Sequence, residues 1–478
     1  MITSLKLLRF LGPTLLFFGT FVVFPPLVMS YFGPGLDSNL LIIWLISLIY
    51  AVIIALTLRK QKFSYTPRDG FIITFVTWVF ISLIAAFPFI SAGLTFSDSV
   101  FEAVSGLTTT GSTSIINLSE LSNHLLLYRQ LLQWAGGVGL VIVVLAIIPA
   151  VSGGMKVLQA ETAGFADKSF SPRLRETARS LLRFYLLITI MCALAYWLAG
   201  MNFFEATTHS FSTVSIGGFS IYSENIGYFN SFQIELIAVV FMLISATNFG
   251  LHFLALTKRT IKYHLNNDEF KFFLLVILLS VFVSTLTLLF KEGFSLNDSL
   301  RFGIFQTVSI VTTTGFTLEP LSALGNAMPF FIFIVAFIGA CSGSVGGGMK
   351  VWRILTLLKI GFSNITKIMH PNAVSTTKMN GEKISSSQIE AVFSFIAIYI
   401  AFFLLFLFVL IFQDVDFYSA FSGTAAAINN LGPGLGQFSE NYSSLSDSAK
   451  LTLAGAMIVG RLELFGVLIL LFPSYWKS

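Results

Sequence analysis

Charge is scarce in this chain. Only 11% of its 478 residues are charged, whereas 55% are hydrophobic, and the mean hydropathy is +0.85. So few charged groups cannot cover the surface of a soluble protein of this size, and the composition therefore excludes that class. It indicates a membrane protein that crosses the bilayer several times.

Residues that build metal and catalytic sites are also few. The two cysteines, Cys192 and Cys341, lie far apart and form neither a metal-binding nor a disulfide pattern. The five histidines are scattered, and neither an HExxH motif nor a nucleotide-binding glycine motif occurs. We therefore expect no enzyme activity, no organic cofactor and no nucleic-acid partner.

Ten apolar segments are long enough to cross a bilayer. They lie near residues 10–30, 40–58, 70–92, 125–150, 184–200, 230–256, 272–290, 327–360, 388–412 and 447–472. The first 30 residues resemble a signal peptide, but no small-residue cleavage site follows and a second apolar run begins at 40. A retained helical hairpin is the favoured interpretation.

Basic residues are distributed unevenly between the two sides of these segments. With the N-terminus inside, most of the 28 Lys and Arg residues fall on one side, which the positive-inside rule makes cytoplasmic. Lys350 and Arg461 fall at membrane depth. Acidic residues gather on the outer side, where they would concentrate cations; they include Glu102, Glu224, Glu235, Glu319 and Glu440.

Four short segments place a glycine in register, and each lies on the outer side between two spans. They are TTTGS at 108–112, SIGGF at 215–219, TTTGF at 312–316 and NNLGP at 429–433. A dehydrated cation needs a ring of carbonyl oxygens, and glycine adopts the backbone angles that such a ring demands. The alternative is that these are tight reversal turns, but four turns in register favour a ring.

The glycine segments belong to a repeated unit. Each unit contains an outer span, a short amphipathic segment, the glycine loop and an inner span. The short segments suit half-helices, which lipid tolerates only inside protein or beside water. We expect a hairpin at 1–65 and repeats at 66–157, 158–259, 260–360 and 361–478. Six residues before the glycine, three repeats carry Ser105, Ser212 or Ser309, and the fourth carries Ala426.

At these residues the chain resembles the TrkH/KtrB superfamily of bacterial potassium transporters, and its TrkH branch most closely. Further markers are QWAGGVG at 133–139, GSVGGGMK at 343–350 and GRLELF at 460–465. The resemblance implies an all-α fold with four potassium-channel-like repeats around a central pore. It also implies a homodimer in the bacterial inner membrane and a TrkA-like cytosolic nucleotide-binding regulatory subunit.

The resemblance assigns a potassium filter to the four loops. The expected residues are Thr109, Thr110, Gly111, Ile216, Gly217, Gly218, Thr313, Thr314, Gly315, Asn430, Leu431 and Gly432. The fourth loop departs most, since it offers Asn430 and Leu431 in place of threonines. Because only one glycine per loop is in register, we expect a short filter with loose discrimination among potassium, rubidium and sodium.

The third inner span is interrupted by glycine. Residues Gly339, Gly343, Gly346, Gly347 and Gly348 precede Lys350, and each glycine costs a helix about 1 kcal/mol against alanine. A broken helix at membrane depth should line a water-filled cavity, and the resemblance names this stretch as the gate. The alternative is close helix packing through small residues.

Arg461 is costly inside a membrane and should face the pore or a partner. The carbonyls of residues 341–348 are plausible acceptors, whereas Glu463, two positions away, should face elsewhere. We expect Arg461 to hinder cations in a closed gate; a static salt bridge is the alternative.

Two other functions compete with potassium uptake through a filter. A proton- or sodium-coupled symporter of the KtrB type would predict inverted repeats and ionisable groups at the midplane, whereas these repeats run parallel. A membrane enzyme would need clustered acids, bases or nucleophiles, and the sequence shows none.

Overall fold

Helices dominate this chain because a backbone in lipid must satisfy its own hydrogen bonds. The computed structural model describes residues 4–58, 67–147, 174–371 and 377–476. The expected repeat boundaries at 65–66 and 157–158 lie outside these ranges. The expected all-α polytopic fold is confirmed, and within the described ranges the only strands form one two-stranded hairpin.

The N-terminal helices form the expected hairpin. The first arm joins helix Ser4–Phe18, a π-helical turn Gly19–Val23 and helix Phe24–Phe32; the second arm is Ser38–Thr57. The π turn ends two residues before Pro25, which like Pro26 lacks an amide hydrogen. Asp37 caps the second arm by accepting from the amides of Asn39 (2.9 Å) and Leu40 (3.2 Å).

The rest of the chain repeats one order of elements four times. The outer helices are Pro67–Ser91, Leu174–Leu198, Asp268–Phe290 and Ser386–Phe412. The short helices are Phe96–Leu107, Phe203–Val214, Leu296–Val311 and Phe417–Asn429. A polar residue caps the start of every short helix, namely Thr95, Asn202, Ser295 and Asp416. These caps stop each short helix from continuing the outer helix before it.

Only the first of the four inner helices is continuous as far as it is described, over Asn123–Ile147. The second is Phe232–Ala246 followed by Phe249–Lys258, bent by 95°. The third is Ala327–Ala336 and Val351–Met369, joined by residues 337–350, which we call the linking segment. The fourth is Asp447–Arg461 followed by Phe465–Leu471, bent by 108°. The apolar segments expected at 230–256 and 447–472 are therefore present as helices, each broken by a sharp bend.

The described helices include six that are long and apolar enough to cross a membrane, or eight spans if each bent pair counts as one. The two other expected spans are the first and third inner helices. Shorter elements complete the chain: helices Lys262–Leu265 and Pro473–Trp476, and 3-10 turns Leu118–Glu120, Asn225–Phe229, Leu321–Leu324 and Gly436–Phe438.

A small β-hairpin lies between the third and fourth repeats. Strands Lys378–Met379 and Glu382–Lys383 pair around Asn380 and Gly381, both of which have positive φ (49° and 82°). Asn-Gly is the dipeptide that a two-residue hairpin with this backbone favours. The Asn380 side chain accepts from the Asp268 amide (2.7 Å), so the hairpin docks on the start of the third outer helix.

Candidate functional site

Every short helix ends in the same hydrogen-bonded turn. At the first, the Thr109 amide donates to the Gly106 carbonyl (3.0 Å) and the Thr110 amide donates to the Ser105 carbonyl (2.9 Å). These two bonds define the Schellman motif, whose residue beyond the helix end is left-handed. The other three helices repeat both bonds, and the left-handed residues are Thr109 (φ 55°), Ile216 (54°), Thr313 (65°) and Asn430 (52°). In each turn, the bond that spans five residues ends on the carbonyl of the residue six before the glycine, at 105, 212, 309 or 426.

Three of these left-handed residues are β-branched. Threonine and isoleucine enter that region at a cost of about 1–3 kcal/mol each, and such strain persists only where the surroundings enforce it. All of these residues are buried, with Ile216 1% exposed and Thr313 fully buried. The loops are therefore held in a backbone conformation that their sequences alone disfavour.

The four loops close into a ring, and we call residues 108–112, 215–219, 312–316 and 429–433 the ring loops. Their glycines have positive φ: Gly111 86°, Gly218 75°, Gly315 84° and Gly432 98°. A Cβ on these glycines would overlap, in the same order, the carbonyl oxygens of Gly217, Thr314, Leu431 and Thr110. Each glycine thus abuts the carbonyl that precedes the glycine of the next loop. Any side chain at these positions would force the ring apart.

Gln133 fixes the second ring loop through three side-chain hydrogen bonds. Its side-chain amide donates to the Gly217 carbonyl (2.6 Å) and accepts from the Ser212 hydroxyl (2.7 Å) and the Phe219 amide (3.2 Å). Gln133 is fully buried, so these bonds replace those that water would make. Of the four carbonyls that the ring glycines abut, that of Gly217 therefore already accepts a side-chain hydrogen bond.

Asn430 ties the fourth ring loop to the first. Its amide nitrogen donates to the Thr110 hydroxyl (3.0 Å) and to the Met457 carbonyl (3.0 Å). In the first and third loops, threonine hydroxyls bond each other instead, Thr108 to Thr110 (2.7 Å) and the equivalent third-loop pair at 2.8 Å. The departure of the fourth loop from threonine thus supplies a crosslink between neighbouring loops.

Outside the ring lies a cavity of about 590 Å³ that all four glycines border. Glu224, Glu319 and Glu440 line it, as the outward acidic field predicts. Glu102 and Glu235 do not take part in that field, which corrects the expectation. Both are buried and paired with arginine: Glu102 with Arg129 (3.2 Å) and Glu235 with Arg301 (2.5 Å).

The Arg129–Glu102 pair joins the first two ring loops. The Arg129 guanidinium donates to the Ser220 carbonyl (3.1 Å) and lies 4.0 Å from the Phe219 ring centroid. Glu102 accepts from the Ser114 amide (2.9 Å). Arg129 is 1% exposed and Glu102 is fully buried, so each charge depends on the other.

The linking segment lies against the inner side of the ring. The Gly347 amide donates to the Thr313 hydroxyl (2.7 Å). A Cβ on Gly346 would lie 2.9 Å from the Thr312 carbonyl oxygen, and one on Gly347 would overlap the Asn429 carbonyl. These glycines therefore permit a close backbone approach to the third and fourth ring loops.

The bend in the second inner helix receives the linking segment. The Cys341 amide donates to the Ala246 carbonyl (3.0 Å), and the Phe249 amide donates to the Gly343 carbonyl (3.1 Å). Breaking a helix exposes backbone groups that need new partners, and the linking segment supplies them. Asn248 lies at this bend, where it is buried and caps the following helix by accepting from the Gly250 amide (2.7 Å).

Arg461 is the last residue of helix Asp447–Arg461, the first half of the fourth inner helix, and is 5% exposed. Its guanidinium donates to the Val345 carbonyl (2.9 Å) and the Gly136 carbonyl (2.9 Å), so the acceptor expected in the linking segment is present.

Glu463 pairs with Arg353 (2.7 Å) and not with Arg461. Lys350, at φ 75°, donates to the Gly346 carbonyl. Gly339 and Gly348 abut each other where the segment begins and ends.

The sequence matches the TrkH family, described as cation transport proteins, over residues 38–478. The chain belongs to the TrkH family.

Two relatives are named Trk system potassium uptake protein TrkH. The one from Salmonella typhimurium is 39% identical over 98% of this chain and 99% of its own length; the one from Vibrio parahaemolyticus is 40% identical over 99% of each. The crystal structure of the potassium transporter TrkH from Vibrio parahaemolyticus aligns with a TM-score of 0.88 at 37% identity. That alignment covers 99% of this chain and 100% of the other.

The sequence singled out the ring glycines and Arg461 of this TrkH-family chain but missed Gln133 and the Arg129–Glu102 pair as parts of the site. Gln133 opens the QWAGGVG marker, which is the one signal that could have identified it. Arg129 and Gln133 reach Glu102, Ser220 and Gly217 across 27 to 91 residues of the chain, and only the folded structure joins them.

Replacing Arg129 with methionine tests the buried pair. It leaves the Glu102 carboxylate without its cation, and breaking a buried pair costs about 3–5 kcal/mol. We expect the thermal unfolding midpoint of the purified protein to fall clearly. The control is Lys359→Met, because Lys359 and its partner Asp268 are each 30% exposed and such a pair contributes about 0–1 kcal/mol. Equal midpoints for the two variants would contradict this account.

Proposed function

We propose that the chain takes up potassium across a bacterial inner membrane through a selectivity filter formed by the ring loops. The observation that carries the proposal is the closed ring, in which each loop glycine abuts a carbonyl of the next loop. The relatives are named potassium uptake proteins, which supports the choice of ion.

The ring has the chemistry that a dehydrated monovalent cation requires. Backbone carbonyls replace its water without adding net charge, so the ion binds and leaves readily. The four short helices point their partly negative C-terminal ends toward the ring. The proposed filter therefore attracts a cation by dipoles, while Glu224, Glu319 and Glu440 raise the local cation concentration in the outer cavity.

The ring is not fourfold symmetric, and this bears on selectivity. The Gly217 carbonyl already accepts from Gln133, whereas the Thr110, Thr314 and Leu431 carbonyls belong to loops that are fixed through other groups. A carbonyl that already accepts a hydrogen bond offers less electron density to an ion. Loose discrimination among potassium, rubidium and sodium is therefore part of the proposal.

The proposed gate is the linking segment with Lys350 and Arg461. The segment abuts the inner side of the ring, where it obstructs the path of an ion. Arg461 holds it through the Val345 carbonyl and adds a positive charge beneath the ring. To open, the segment must leave its contacts with the ring and with Arg461, while the hydrogen bonds within the ring loops stay in place.

The proposed assembly is a homodimer in membrane lipid, with the N-terminus cytoplasmic and a TrkA-like nucleotide-binding subunit on the cytosolic side. The distribution of Lys and Arg supports this orientation. The assembly itself rests on the family. The word "system" in the names of the relatives fits a second component.

Replacing Gly315 with serine tests the filter. The added side chain overlaps the Leu431 carbonyl and overpacking costs about 1–3 kcal/mol, so the ring opens. In a bacterium deficient in potassium transport, we expect the variant to lose growth at low potassium. The control is Gly455→Ser, because a Cβ on Gly455 meets no atom within 4 Å. Equal rescue by both variants would defeat the filter assignment.

Replacing Arg461 with alanine tests the gate. It removes the hydrogen bond from a charged donor to the Val345 carbonyl of the segment, worth about 1.5–3 kcal/mol, so the segment leaves the ring more often. We expect potassium uptake without any regulatory partner to rise by roughly tenfold or more. The measurement is rubidium flux into proteoliposomes, with the exposed Lys291→Ala as the control. Unchanged flux in the Arg461 variant would remove it from the gate.

A further inference from the structure

Glu269 contacts both ends of the linking segment. It is the second residue of the third outer helix and is 4% exposed. One of its carboxylate oxygens accepts from the Ser342 amide (2.6 Å) and from the Trp352 amide (3.1 Å). Ser342 lies near the start of the segment and Trp352 just beyond its end. A single side chain thus brings together two points ten positions apart in the sequence.

The bond to Trp352 caps the helix that follows the segment. Helix Val351–Met369 begins after Lys350, and no side chain of its own caps it. The first amides of a helix lack partners within it and carry partial positive charge, so a carboxylate there is stabilised. Glu269 supplies that carboxylate from another helix. This explains how an acidic side chain is accommodated inside the protein.

The turn that Glu269 holds is strained. Lys350 has φ 75°, a region that costs a residue with a side chain about 1–3 kcal/mol unless its surroundings enforce it. The Val351 amide helps by donating to the Ala340 carbonyl (3.1 Å). Without Glu269, two buried amides lose their acceptor while the strain at Lys350 remains, and the segment becomes easier to displace.

We propose that Glu269 is the positioning residue that holds the linking segment in its closed place, by binding the amides at both of its ends. The inference rests on the proposed gate. It assigns closure to a side chain outside the segment and outside the ring. Shortening or removing this acceptor should therefore release the segment while leaving the filter intact.

Labelling of the Cys341 thiol can report the position of the linking segment. Cys341 lies beside Ser342, is 1% exposed and carries a free thiol. The only other cysteine is Cys192. In a Cys192→Ala background, the rate at which a small maleimide labels Cys341 reports how often the segment leaves its place, independently of transport.

Three substitutions of Glu269 form the test. Alanine removes the acceptor, aspartate keeps the charge but is one methylene too short to reach both amides, and glutamine keeps an oxygen that can accept from both. We expect alanine and aspartate to raise both Cys341 labelling and partner-free rubidium flux by about tenfold, and glutamine to change either by no more than about twofold. The ratio of rubidium to sodium flux should stay at the wild-type value in all three.

The matched control is Asp268→Asn, one residue away on the same helix. Asp268 is 30% exposed and pairs with Lys359 (2.7 Å), so its loss should change neither labelling nor flux. If alanine fails to fold, aspartate carries the test.

Two results would overturn the proposal: wild-type labelling in folded alanine and aspartate variants, or a raised flux accompanied by a changed rubidium-to-sodium ratio. A third result is that labelling rises in the alanine and aspartate variants while no protein, wild type included, transports rubidium. That result would support Glu269 as the residue that holds the segment and would contradict potassium transport.

Discussion

The contact between each ring glycine and the carbonyl of the next loop is the constraint on which the rest of the structure depends. Four chain segments must meet backbone to backbone, so glycine is required at 111, 218, 315 and 432. The turn that presents each glycine forces the residue two before it into the left-handed region, at a cost that threonine and isoleucine do not recover locally. The surrounding protein supplies the compensation, through Gln133, Asn430 and the Arg129–Glu102 pair.

Beneath the ring, the same need for backbone partners shapes the inner helices. Three of them break, and the breaks leave amides and carbonyls that lipid cannot satisfy and that need new partners. The linking segment forms hydrogen bonds with Ala246 and Phe249 at the break in the second helix, and Arg461 of the fourth helix donates to the segment. Glu269 completes the set from the third outer helix. The segment is thus held both by these polar bonds and by the packing of Val345 and Phe337 in the apolar core.

Some of this arrangement was predictable from sequence and some was not. The glycine register, the short helices and the interruption of the third inner span follow from local composition, and the cost of an arginine at membrane depth predicts an acceptor for Arg461. The break at residues 247–248 was missed because the run from 230 to 256 is long enough to cross a membrane and contains no proline, although the polar pair Thr247-Asn248 stands at the break. Gln133 and Glu269 were missed because their partners lie 73 to 86 residues away. Contacts at such separations depend on the completed fold, and no periodicity along the chain records them.

The most direct test of the central claim is a crystal structure of the protein grown with rubidium, with anomalous scattering used to locate the ions. We predict an anomalous peak on the ring axis, within coordinating distance of the carbonyl oxygens of Thr110, Gly217, Thr314 and Leu431. Soaking with potassium should displace it, and lithium should not. A ring without any rubidium peak, in crystals that bind the ion elsewhere, would contradict the account.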